Sequence, residues 1–155
     1  MVAATLQTKF VIIFLSLVLF SCQNKIVINE NELINGLEIS RYIRTNEFSG
    51  SITIMYLDNE TLKSKRHYKN GRKNGHHQGW WPNGTKKYSF HFKHDMSVGE
   101  HLQWHQNGNL FTHKNFKNGL EDGEQKAWDL NGNLMYKYIY NDGRKYGIQG
   151  SVVCN

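Results

Sequence analysis

Histidine is the residue type whose chemistry is most concentrated in this chain, because all eight copies lie between His67 and His113. Neutral imidazole binds zinc and copper well, so such a cluster raises the hypothesis of a metal site. The best candidates are His101 and His113, which would face each other across a hairpin with a three-residue loop. No cysteine or carboxylate clearly completes a four-ligand structural zinc site. The alternative is a solvated, histidine-rich face, and we predict no metal or other cofactor.

Catalytic patterns are missing from the sequence. No serine motif is flanked by glycines in a strand–turn–helix context, and no nucleophile is paired with a base. The glycine-rich runs 70–75 and 142–147 lead into predicted strands, so they lack the helix N-terminus that binds phosphate. The acidic residues Glu121, Asp122 and Glu124 lack the ligand pattern of a calcium loop. We therefore predict that the protein is not an enzyme.

A basic and aromatic segment is the strongest candidate for a binding surface. The chain carries a formal net charge of +6. The candidate surface comprises Trp81, Lys86, Lys87 and His105. Bases can stack on such aromatic residues, but an exported protein is not expected to meet nucleic acid, and an anionic lipid or polysaccharide suits the charge better. A solvated face whose lysines protect a sheet edge is the alternative.

The N-terminal segment Met1–Ser21 is typical of a signal peptide. Its apolar run, Phe10–Phe20, is too short to span a bilayer as a helix, which needs about 20 residues. The sequence Leu19-Phe20-Ser21-Cys22 resembles the lipobox of bacterial lipoproteins. This resemblance implies cleavage after Ser21 and a diacylglycerol on Cys22. We expect a membrane-anchored protein of the bacterial cell envelope; an uncleaved signal anchor is the alternative.

The rest of the chain is organised by a repeat with a fixed period of twenty-four positions, which is the spacing from Tyr68 to Phe92. Four columns recur without insertion or deletion: Tyr68, Phe92, Phe116 and Tyr140; Gly75, Gly99, Gly123 and Gly147; Trp80, Trp104 and Trp128; and the Asn-Gly pairs 83–84, 107–108 and 131–132. A fixed period of this length indicates a repeat array.

Each repeat reads as one β-hairpin, because Asn-Gly between alternating apolar residues is a strong hairpin signal. The alternation predicts three-residue loops at Pro82–Gly84, Gln106–Gly108 and Leu130–Gly132. At the other end of each repeat, Asn-Gly or Asp-Gly forms the turn, and Asp95 replaces the glycine in one copy, where we expect a looser turn or one of another type. The predicted fold is all-β: one elongated antiparallel sheet of consecutive hairpins, with almost no helix after the signal peptide.

The predicted domain organisation has three parts. Residues 1–21 form the signal peptide, 22–44 a tether, and 45–155 the repeat domain. The domain divides into a degenerate capping unit at 45–67, full units at 68–91, 92–115 and 116–139, and a partial unit at 140–155. A degenerate end unit is expected, because an exposed sheet edge invites aggregation.

The repeated pattern resembles the bacterial variant of the MORN repeat, found in proteins described as YwqK-type antitoxins and in exported lipoproteins. The resemblance implies a sheet of hairpins that acts in binding or scaffolding. The leading functional hypothesis is a non-catalytic binding or scaffold protein with a protein or envelope-component partner. The alternatives are an antitoxin or immunity-type protein that neutralises a toxin and, less favoured, a histidine-dependent metal-binding protein.

Overall fold

A computed structural model of the chain describes residues 24–30, 36–58 and 60–148. This part forms one open sheet of twelve strands and one helix. The elements in chain order are β1 Asn24–Asn29, α1 Gly36–Thr45, β2 Gly50–Met55, β3 Leu62–Lys69, β4 Arg72–Lys73, β5 Gly75–Trp80, β6 Lys86–Lys93, β7 Met96–Ser97, β8 Gly99–Trp104, β9 Leu110–Lys117, β10 Leu120–Trp128, β11 Leu134–Asn141 and β12 Arg144–Ile148. The segment predicted to be a signal peptide, Cys22 and Cys154 lie outside the described residues.

Strands follow one another across the sheet in chain order, and the short strands β4 and β7 pair beside β3 and β6. The predicted all-β sheet of consecutive hairpins is confirmed. The sheet is mixed rather than wholly antiparallel, because β1 pairs with β2 in parallel. A parallel pair needs a crossover connection, and α1 lies in that crossover.

The N-terminal elements hold the aliphatic core of the described chain. Its buried members are Ile43, Phe48, Ile52 and Ile54, with Ile26, Ile28, Ile39 and Tyr68 packed against them. The helix ends in a Schellman motif, in which Glu47 has a φ of +46° and the Phe48 N–H donates to the Ile43 carbonyl at 3.0 Å. The stretch predicted to be a tether therefore contains β1 and most of α1, and this short helix agrees with the expectation of almost no helix.

The three-residue loops are confirmed. In the first, the Trp81 N–H donates to the Thr85 carbonyl at 2.8 Å and the Gly84 N–H to the Trp81 carbonyl at 2.9 Å. Gly84 takes a left-handed φ of +81°, as a hairpin loop of this length requires. The same two hydrogen bonds recur around the Asn-Gly pairs 107–108 and 131–132.

A bulge beside each repeated tryptophan changes the strand register. Trp104 pairs with Leu110, but the register then shifts, so Gln103 pairs with Thr112. The predicted pairing of His101 with His113 is wrong, because His101 pairs with Lys114. Since side chains alternate along a strand, a shift of one residue places two supposed partners on opposite faces.

The turn at Asp95 is as tight as the glycine-containing ones, which corrects the expectation of a looser turn. His94 and Asp95 have φ values of +50° and +68°, close to the +50° and +71° of Asn70 and Gly71. The Asp95 carboxylate accepts from the Lys73 N–H at 2.8 Å, and the Asp95 N–H donates to the Lys73 carbonyl at 3.0 Å. These two bonds to the preceding repeat hold aspartate in a conformation that glycine adopts more readily.

Candidate binding surfaces

The two faces of the sheet differ in chemistry. One, here called the aromatic face, carries the rings of the repeated first column and those of β6 and β11. Contacts run along it from Tyr68 to His77 at 5.3 Å and from His77 to Phe92 at 4.9 Å between ring centroids. The opposite face, here called the polar face, carries charged side chains, among them Glu124. Hydrogen bonds from Lys126 and then Lys137 lower the pKa of Glu124 to about 2.

Three side chains on the aromatic face join each hairpin to the one before it. His77, His101 and Gln125 occupy the same position of successive repeats and are buried. Nε2 of His77 lies 2.7 Å from the His67 carbonyl oxygen, and Nε2 of His101 lies 2.8 Å from that of His91. Gln125 donates to the Asn115 carbonyl at 2.8 Å and accepts from the Asn115 N–H at 3.2 Å. We call this set the strand staple, because it adds side-chain hydrogen bonds to backbone groups of the preceding hairpin. The carbonyls of His67 and His91 also accept from the backbone N–H groups of Asn74 and Val98, at 3.0 Å each.

The strand staple explains the buried histidines without a metal. Burial lowers the pKa of His77 to about 4 and also lowers that of His101, so both rings are neutral at pH 7. His113 lies on the other face, where Nε2 is 3.1 Å from a Glu100 carboxylate oxygen. Among the described residues, no group of three or more histidine, cysteine, aspartate or glutamate side chains is placed to hold a metal ion.

A second set of side chains joins the repeats at their Asn-Gly loops, and we call it the loop staple. The carbonyl of each repeated tryptophan accepts a hydrogen bond from the preceding repeat. The Tyr56 hydroxyl donates to Trp80 at 2.8 Å and the Trp81 indole N–H to Trp104 at 3.1 Å. The third contact places Nε2 of His105 3.0 Å from the Trp128 carbonyl oxygen. Trp81 and His105, both members of the predicted binding surface, therefore also join neighbouring repeats.

The four residues of the predicted binding surface are divided between the two faces. Alternation along β6 places Lys86 on the aromatic face and Lys87 on the polar face. The Lys87 ammonium lies 4.0 Å from the centroid of Trp81, whereas the Lys86 ammonium lies 5.7 Å from that of Trp104. Trp81, Lys87 and His105 thus belong together, and Lys86 does not.

One exposed column accompanies the loop staple. Lys87, Phe111 and Met135 occupy equivalent positions of successive repeats and all are exposed, Phe111 at 37% and Met135 at 62%. The Phe111 ring contacts His105 at 4.8 Å, in the same relation that Lys87 has to Trp81. We call these three residues the variable column, because the repeat fixes their positions while their chemistry changes from cation to ring to thioether.

Sequence reasoning missed both staples, although their spacing was visible. The staple residues recur at the period of the repeat, except that Tyr56 stands one position out of the column of Trp81 and His105, and their residue types differ: histidine, glutamine, tyrosine and tryptophan. Their shared property is a side-chain N–H or O–H that reaches a carbonyl of a neighbouring hairpin. A search for columns of hydrogen-bond donors, rather than for columns of one residue type, would have found them.

Comparison with known families supports the repeat. The family of MORN repeat variants matches residues 97–118 and 121–142, two segments whose starts are separated by one period of the repeat. Repeats of this family are generally binding or scaffold repeats and are typically not enzymes. No curated protein and no solved structure matches the chain. Within the described residues, no helix is both long and apolar enough to cross a membrane.

Proposed function

We propose that this protein is a non-catalytic binding module of the bacterial cell envelope, held at a membrane by a lipid on Cys22. The anchor is supported by the apolar segment Phe10–Phe20 and by the lipobox-like residues that end at Cys22. A lipid with several acyl chains gives lasting attachment, at about 0.8 kcal/mol per buried CH₂ group.

The variable column is the observation that carries the binding function. The two staples use the repeated side chains to join hairpins, whereas Lys87, Phe111 and Met135 stand exposed at equivalent positions and differ in chemistry. Each of these three side chains can contact a partner protein, and changing one of them leaves the packing between repeats unaltered. A cation and two apolar groups suit a protein surface that combines an acidic patch with an apolar one.

In-cell crosslinking of the full chain followed by mass spectrometry tests this function. The test variant is Lys87→Glu combined with Phe111→Ala, which alters exposed atoms and leaves both staples in place. Lys86→Glu is the matched control, because it makes the same charge change on the opposite face. Trp81→Ala is avoided, since it would remove a loop-staple bond.

We expect one dominant partner that wild type and Lys86→Glu capture and that the double variant loses. Diffuse capture that is equal in all three proteins would contradict a binding role for the variable column. A partner toxin, bound one to one and neutralised by this protein, would favour the antitoxin alternative over the scaffold. Loss of acyl labelling in Cys22→Ser, with release from the membrane fraction, tests the anchor.

A further inference from the structure

A cleft of about 330 Å³ opens on the aromatic face, away from the variable column. Its lining residues are Arg66, Tyr68, Lys73, His77, Tyr88, Phe90 and Phe92, and we call them the Arg66 cluster. The volume is at the lower end of the range for small-molecule sites. Both cations, Arg66 and Lys73, are exposed, so a ligand in the cleft can reach them.

The floor of the cleft depends on one glycine. A Cβ at Gly79 would come within 2.1 Å of the Tyr88 ring, so the ring lies directly over the backbone of β5. From there Tyr88 reaches across to Arg66 on β3, where its hydroxyl and that of Tyr68 interact with the guanidinium. Burial raises the pKa of Tyr68, so its hydroxyl adds no negative charge beside the guanidinium at pH 7.

The positive charge in the cleft is not neutralised by an ion pair. Among the described residues, none of the ion pairs involves Arg66 or Lys73. The Lys73 ammonium lies 5.0 Å from the centroid of Phe92. The Asp95 carboxylate is nearby, but it accepts from the backbone N–H of Lys73.

The repeat itself provides a comparison, because every position of the Arg66 cluster has an equivalent two repeats later. The equivalents are Lys114, Phe116, Glu121, Gln125, Tyr136, Tyr138 and Tyr140, and we call them the Lys114 cluster. Glu121 stands where the first cluster has Lys73, and it forms an ion pair with Lys114 at 3.0 Å. The fold therefore accepts an acid that neutralises the cation at this position, yet the first cluster has a second cation there.

We propose that the Arg66 cluster binds a small phosphate monoester whose phosphate is attached to a flat ring. A guanidinium donates in parallel to two oxygens of a phosphate, and the ammonium of Lys73 provides the second charge that a dianion requires. The rings of Tyr88, Phe90 and Phe92 offer faces and edges on which a flat body can pack. This site is separate from the variable column and does not rest on the function proposed above.

Titration calorimetry on the full chain, purified in detergent, tests the site with phenyl phosphate as the probe. We expect one phenyl phosphate per chain, bound more tightly than inorganic phosphate, and no measurable binding of phenol. Arg66→Gln should weaken binding about tenfold to a hundredfold, the effect of losing one charge-assisted hydrogen-bonding partner. Lys114→Gln is the matched control and should leave the affinity unchanged.

Charge exchange between the clusters makes the test decisive. Lys73→Glu should create the ion pair of the Lys114 cluster and abolish binding, while thermal unfolding shows that the protein remains folded. Lys114→Arg combined with Glu121→Lys and with Ala127→Gly, which supplies the glycine of the first cluster, should raise the stoichiometry to two. Equal affinity for phenyl phosphate and inorganic phosphate, binding that survives both Arg66→Gln and Lys73→Glu, or no binding of phenyl phosphate by the wild type would overturn the proposal.

Discussion

The Arg66 and Lys114 clusters occupy the same columns of the repeat, two units apart, and differ mainly in charge and in the strand staple. Both place a tyrosine over a small residue, Tyr88 on Gly79 and Tyr136 opposite Ala127. Each cluster also contains a stacked pair of rings, Tyr88 with Phe90 and Tyr136 with Tyr138, whose centroids are 4.9 Å apart. The first cluster has two cations without an ion pair among the described residues and a histidine staple, whereas the second has an ion pair and a glutamine staple. The two clusters thus share their ring and staple positions and differ in charge.

The largest difference that we expect between the clusters is their response to acid. Burial lowers the pKa of His77 to about 4, below the ordinary value of 6.5, whereas Gln125 does not titrate. The unfolded chain therefore binds a proton first as the pH falls. The stability that depends on neutral His77 is fully present above pH 6.5 and is lost as the pH falls from 6.5 to about 4. The total loss is about 3 kcal/mol, at about 1.4 kcal/mol per pKa unit.

Urea unfolding of wild type and His77→Gln at pH 7 and pH 4 measures this loss. The variant carries the staple of the second cluster, so its free energy of unfolding should fall less between the two pH values. Other groups also titrate in this range, but they are common to both proteins. Equal losses in the two proteins would show that His77 does not stay neutral in the fold.

Gly79→Ala should have the next largest effect on the free energy of unfolding. The residue that pairs with the tyrosine is glycine in the Arg66 cluster and alanine in the Lys114 cluster. The added Cβ would lie 2.1 Å from the Tyr88 ring, so the ring must move. Overpacking of this kind costs about 1–3 kcal/mol of the free energy of unfolding. Combining the change with Tyr88→Thr should recover part of the loss, since the intervening repeat has threonine at the equivalent position, Thr112. A fully stable Gly79→Ala protein would contradict the described packing.

Replacing His101 by glutamine should have the smallest effect of the three changes on the free energy of unfolding. Nε2 of His101 lies 2.8 Å from the His91 carbonyl oxygen and 3.2 Å from the His91 nitrogen, and one ring nitrogen can serve only one of them at a time. Glutamine can serve both, as Gln125 does, but it loses the ring contacts with Phe90, Phe92 and Phe116, whose centroids lie 4.8, 5.3 and 4.6 Å from that of His101. We expect His101→Gln to lower the free energy of unfolding by about 1 kcal/mol, since the second hydrogen bond offsets part of the lost ring contacts.

The control for this exchange is His101→Leu, measured by the same urea unfolding. Leucine fills the position and the His91 carbonyl keeps its bond from the Val98 N–H, but the His91 N–H loses the acceptor that Nε2 provides, at a cost of about 1–3 kcal/mol. If the leucine and glutamine variants were equally stable, the strand staple would contribute only packing.

Much of the array could be predicted because its signals are local. The Asn-Gly pairs predicted short loops with a left-handed residue. The alternation of side chains around Trp128 and Leu134 predicted the three-residue loop that the structure contains. The predicted pairing of His101 with His113 was wrong because the register shifts at the bulge between Gln103 and Trp104. A bulge depends on how two strands pair and twist together, so it could not be predicted from a single residue in either strand.

The N-terminal elements β1 and α1 were harder to predict for a different reason. The sequence from Asn24 to Thr45 is polar and shows no repeat, so its strand and helix depend on what they pack against. Ile43 and Phe48 are buried only because β2 and β3 provide a face to cover. Most of the stability of a short helix comes from such packing rather than from its own residues.

The sequence by itself determined the period, the hairpins, the loops and the aromatic columns, because each depends on residues close together in the chain. Only the tertiary structure decided which side chains became staples, since a donor is a staple only when a carbonyl of another hairpin lies within hydrogen-bonding distance. It also decided that Arg66 and Lys73, on different strands, share one cleft with Tyr88. That arrangement depends on strand register and on the missing Cβ of Gly79, which take effect only when neighbouring strands pack together.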